Sequence, residues 1–299
     1  VQTCALPIYA LDQKNHTTLL WLFEGFTSYY DDLQLLRSGR IDFSGYLKRI
    51  EKTWNMVLRG PGRHKQSLSE SSFDAWTKYY QMDENTPNAV VSYYAKGSLL
   101  ALALDIKIRA HTKQKQSLDD VIRHLWEMYQ LTETGMAEDD FDRAIEFVID
   151  PSFAATWAQM KSDYVDGCKD IPLDTILSSV GVKVSLKETL PTEHAETAKQ
   201  LLGIRTTAQQ GWIKLTHVLD GGLAQQAGLA AGDYLASING ERTTPGRVDH
   251  LLTQLIQKLS RGQAVKVVAY RHDSEFVAMF QARSDIASSQ PKQYSISIK

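Results

Sequence analysis

Over residues 17–38 the apolar and aromatic side chains recur at the three- and four-residue spacing of a helix, and Gly39 stands where a left-handed cap would end it. A second helical segment follows over 40–57. Residues 58–88 are rich in Gly, Ser, Asn and Pro, which predicts a long irregular loop, and loops of that length are usually functional. Residues 89–110, AVVSYYAKGSLLALALDIKIRA, are apolar on nearly every face, as in a helix buried inside a helical domain. Ser117 followed by Asp120 predicts a capped helix running to Tyr129. Amphipathic segments continue over 137–149 and 152–165, and a short helix near 172–179 stops at Gly181.

The polar stretch 187–200 has no period and reads as a linker, and the pattern after it changes. Short alternating or β-rich runs at 201–206, 211–218, 234–238, 264–271 and 276–282, with a helix at 246–260 between the third and fourth, predict a small α/β module over 201–284. Residues 285–299 read as a polar tail. A length of 299 residues suits two domains. No apolar run reads as a membrane span, so the expectation is a soluble chain, cytoplasmic or periplasmic. A net charge of -2 with mixed signs excludes the basic field that nucleic-acid binding requires. Two cysteines, Cys4 and Cys168, make neither a disulfide framework nor a Cys-rich metal site. The chain opens without Met or a signal peptide, and VQTCALPI (1–8) back-translates to a sequencing-adapter oligonucleotide. Those residues are expected to be an artefact, leaving 9–186 as the helical domain.

Two stretches carry candidate chemistry. Glu24 stands among Leu20, Trp21, Phe23 and Phe26, where a bare carboxylate is too costly to bury and must be paired, metal-bound or at the helix edge. Gly25 beside it costs about 1 kcal/mol in a helix interior, which points to another backbone approaching closely. Tyr94, Lys96 and Gly97 form a Tyr-x-Lys-Gly pattern, in which the phenol either packs or donates to a developing oxyanion.

The pairing and order of these stretches resemble the gluzincin metallopeptidases. Within that clan EGFTSYYDDL, QSLSESSFDAW and DENTPNAVVSYYAKGSLLALALD are similar to the glycyl aminopeptidase family, metallopeptidase family 61. The resemblance implies the helical C-terminal part of a thermolysin-like catalytic domain. It makes Glu24 a zinc ligand and Tyr94 the oxyanion stabiliser, with Tyr93 the second choice, and it implies hydrolysis of peptides or proteins at small N-terminal residues. The family's HExxH should lie N-terminal to Glu24 and is absent here, so zinc is expected in an intact parent and not tightly on this chain. The competing reading is a non-catalytic scaffold with an inactive peptidase-like domain.

The terminal module resembles a PDZ domain: Leu202-Gly203-Ile204 opens it, and AGLxxGD with Ile-Asn-Gly follows. That implies a peptide C-terminus held by backbone N–H groups over Leu202, Gly203, Ile204, Arg205 and Thr206, as a strand added at an edge. Val248, Leu251, Leu252 and Leu255, at helical spacing, would line the groove.

Overall fold

The computed structural model describes residues 16–129, 135–186, 195–282 and 293–298. The expected artefact at 1–8 and most of the stretch assigned as linker lie outside them. The chain divides into two compact units, one of residues 1–81, 89–186 and 293–299 and one of residues 82–88 and 187–292.

The first unit is helical. In chain order its elements are α1 (Leu20–Arg37), α2 (Phe43–Arg59), α3 (Leu68–Phe73), α4 (Thr86–Ala89, of which residues 86–88 belong to the second unit), α5 (Tyr93–His111), α6 (Leu118–Tyr129), α7 (Asp140–Val148), α8 (Pro151–Met160) and α9 (Leu173–Ser179). Strand β1 (Val182–Leu186) follows. α5 is the centre of the core: Leu100, Ala101, Ala103, Leu104 and Ile108 have no exposed surface, as its all-round apolar pattern requires. By length and composition Thr86–His111 could cross a membrane, which corrects the expectation that no stretch could, but 67% of its window is buried inside the protein. Asp105 supplies the polar tie in this helix. Its carboxylate accepts from the Tyr29 hydroxyl (2.9 Å), Arg109 Nε (2.9 Å) and the Leu118 N–H (2.8 Å), so a buried charge is satisfied from three elements.

The stretch expected to be an irregular loop over 58–88 is largely helical. It holds a 3₁₀ turn (Pro61–His64), α3, a π-helical turn (Ala75–Tyr79) and α4. α3 starts at a capping box: Ser67 Oγ accepts from the Glu70 N–H, and Glu70 Oε2 accepts from the Ser67 N–H.

The second unit holds α10 (Ala195–Leu202), β2 (Ile204–Gln209), β3 (Trp212–Val218), α11 (Leu223–Gln226), β4 (Tyr234–Ile238), β5 (Glu241–Arg242), α12 (Val248–Ser260), β6 (Val265–Arg271) and β7 (Ser274–Phe280). The strands form an antiparallel sheet in the order β2-β3-β4-β6-β7, with β5 paired to β4. Residues 195–202 are therefore helix, where the sequence reads as linker and then strand. Asn239 and Gly240 both take positive φ (53° and 84°) in the β4–β5 turn, the requirement of a type I′ hairpin. Asp233 of the AGLxxGD motif is fully buried and held by both guanidinium contacts of Arg271 (2.8 and 2.9 Å) and by the Ala230 N–H.

The last described strand, β8 (Tyr294–Ile298), pairs antiparallel with β1 in the first unit. The polar tail is thus an ordered strand at its end. Tyr294 stacks on Trp54 (4.1 Å between centroids) and exchanges two backbone hydrogen bonds with the Asn55 side chain.

Candidate active site

α1 and α5 cross at a pair of glycines. A Cβ on Gly25 would lie 2.7 Å from the Gly97 Cα, and a Cβ on Gly97 would lie 2.7 Å from the Trp21 carbonyl oxygen. The two signature stretches meet here because neither helix carries a side chain at the crossing. Glu24 precedes one glycine and Tyr94-Ala95-Lys96 precedes the other, so the crossing sets the carboxylate and the phenol together.

Glu24 is half-buried. Its carboxyl titrates above the usual carboxylate range because burial disfavours the charge, and hydrogen bonding from the Tyr94 hydroxyl pulls it part of the way back. Burial also pushes the Tyr94 phenol up, with the Tyr80 hydroxyl and the Glu24 charge acting in the same direction. Tyr94 is half-buried, whereas the Tyr93 side chain is wholly enclosed. The Tyr80 hydroxyl lies 3.2 Å from that of Tyr94 and accepts from that of Tyr93 at 3.3 Å. Tyr80 was not singled out in the sequence. It follows a π-helical turn, a feature often found at functional sites that leaves no signal in the sequence.

Lys96 is 1% exposed, and among the described residues its amine nitrogen has no hydrogen-bond partner. Burial depresses its pKa; Cys168 and Asp170 act against that shift, and Arg63 adds to it.

A catalytic zinc takes three protein ligands and keeps one open position. Among the described residues no group of three or more His, Cys, Asp or Glu side chains converges. Among these residues Glu24 offers one ligand, fewer than the three a catalytic zinc takes.

The other sequence-predicted positions fall in the second unit. Val248, Leu251, Leu252 and Leu255 share one face of α12 and are all buried in that unit's core. Leu202 is the last residue of α10 and Ile204 the first of β2. Gly203, at φ +71°, ends α10 with its N–H donating to the Gln200 carbonyl (3.1 Å). The loop expected to offer free amides therefore opens as a helix cap. Arg205 is exposed and Thr206 half-buried.

Residues 2–100 match the family model of the M61 glycyl aminopeptidase. A solved structure of an aminopeptidase N family protein from Idiomarina loihiensis is similar to this chain, at 32% identity and a TM-score of 0.80. Both matches support the M61 family. The alignment with the solved structure covers 97% of this chain and 48% of that one, so the chain spans about half the length of that relative. No curated protein matches. The M61 match takes in the Glu24 stretch, Tyr80 and Tyr94, so the tyrosine cluster and the carboxylate fall within the matched segment.

Proposed function

We propose that this chain is the helical, ligand-completing part of a gluzincin-type zinc aminopeptidase, joined to a PDZ-like peptide-binding module. The observation that carries the reading is the close approach of the Glu24 and Tyr94 stretches at the Gly25–Gly97 crossing, within the segment similar to M61 glycyl aminopeptidases. In this reading Glu24 supplies one zinc ligand in a longer protein, with the HExxH side chains supplied by a segment outside this chain. The phenol of Tyr94 donates a hydrogen bond to the oxygen that gains charge as a peptide carbonyl is attacked. Tyr80 and Tyr93 restrict where that phenol can point. Small N-terminal residues such as Gly and Ala are the substrates the family resemblance implies.

The test is an assay of the longer protein on glycyl- and alanyl-p-nitroanilide, with zinc content measured in parallel. Turnover that disappears together with zinc in Glu24→Gln supports the reading. A protein that folds, lacks HExxH and hydrolyses neither substrate supports the scaffold reading instead.

A further inference from the structure

The peptide-binding reading assigns a partner's C-terminus to the groove between β2 and α12, and α10 lies against both of these elements. α10 packs along α12. Its Ala198, Leu201 and Leu202, three and four residues apart, are 0%, 6% and 1% exposed and share one cluster with Leu252 and Leu255. On the flank, Lys199 Nζ lies 2.7 Å from Asp249 Oδ1, in the first turn of α12. The Gly203 amide, the donor a bound carboxylate would need, is taken by the last turn of α10. β2 meanwhile pairs with β3 on one edge only among the described strands.

We propose that α10 is an intramolecular occupant of the β2–α12 groove, which a peptide with an apolar last residue and a free C-terminal carboxylate must displace in order to bind. The proposal rests on the peptide-binding reading of the second unit. A helix of eight residues is marginal by itself in water, so α10 is held by its contacts with α12 and is released when they are lost. The apparent affinity of the groove is then its intrinsic affinity reduced by the fraction of molecules with α10 displaced.

The experiment is an NMR titration of the full ¹⁵N-labelled chain with uncharged hexapeptides ending in Val, Leu or Phe, as free acids and as amides. Free acids are expected to bind, with faster amide hydrogen exchange over residues 196–202 in the bound form. Lys199→Glu, which sets like charges against each other at the half-buried α10–α12 flank, is expected to tighten binding about 2- to 10-fold. The swap Lys199→Glu with Asp249→Lys should restore the original affinity. Ala198→Glu, which forces a carboxylate into the α10–α12 contact, should open the groove further while the β3–β7 amides keep their dispersion. Equal binding by the wild-type chain and both single variants, with unchanged exchange over 196–202, overturns the occupant and leaves the groove reading intact. Absence of binding to all of them overturns both.

Discussion

At the scale of single residues, the site is built by what two positions lack. Gly25 and Gly97 let α1 and α5 approach until backbone meets backbone, which is what brings Glu24 to Tyr94. Gly97→Ala removes a poor helix former, a gain of about 1 kcal/mol, but drives a methyl to within 2.7 Å of the Trp21 carbonyl oxygen. Overpacking of that kind costs about 1–3 kcal/mol or more, so a net loss of stability is expected in urea unfolding, with Glu24 and Tyr94 pushed apart. Lys96 carries the opposite signature, a buried amine nitrogen with no hydrogen-bond partner among the described residues. Its pKa in the fold lies below the ordinary 10.5, so the fold favours the neutral amine. Its cost is therefore absent above about pH 10.5, grows as pH falls toward the folded-state pKa, and is fully present below it. Lys96→Met is expected to raise stability at pH 7 by about 1–3 kcal/mol, with the advantage vanishing above about pH 10.5 in denaturant titrations across pH.

At the scale of elements, periodicity located the long helices well because burial and period coincide there. α1 and α5 carry their apolar residues at helical spacing, and Gly39 closes α1 with φ +69°. The misread segments are those in which local composition and actual structure disagree. Ser67-Leu-Ser-Glu70 is a capping box inside a stretch whose Gly, Pro and Asn content reads as loop, so the start signal of α3 was present but outweighed. Ser67→Ala should cost about 1 kcal/mol, seen as a lower denaturation midpoint. α10 is short and its apolar face shows only against α12, and β8 is defined by pairing with the distant β1, so neither leaves a local signature. Of the candidate site, Glu24, Gly25 and Tyr94 were legible as motif residues, while Tyr80 was not because its role depends on a π-helical turn. Asp233 was legible only as part of a motif. Its full burial against Arg271 makes Arg271→Ala an expected loss of about 2 kcal/mol, below the about 3–5 kcal/mol of a fully buried pair because the arginine is 45% exposed.

At the scale of the whole molecule, two units with separate cores divide two tasks in the proposed function, chemistry in the helical unit and recognition in the sheet unit. In that proposed function the helical unit supplies one metal ligand and one oxyanion donor, less than a complete zinc site. Equilibrium dialysis of this chain at micromolar zinc should therefore show no stoichiometric uptake, and a filled site that depends on Glu24 would require a ligand set other than the one described. The most direct test of the central claim is the effect of Tyr94→Phe on kcat/KM of the longer, HExxH-containing protein, with zinc content measured on the same samples. The claim that Tyr94 stabilises the transition state beside Glu24 predicts unchanged zinc and a fall of about 100- to 1,000-fold, corresponding to roughly 2.7–4 kcal/mol for one oxyanion donor. Unchanged turnover, or a fall that merely follows lost zinc, would contradict it.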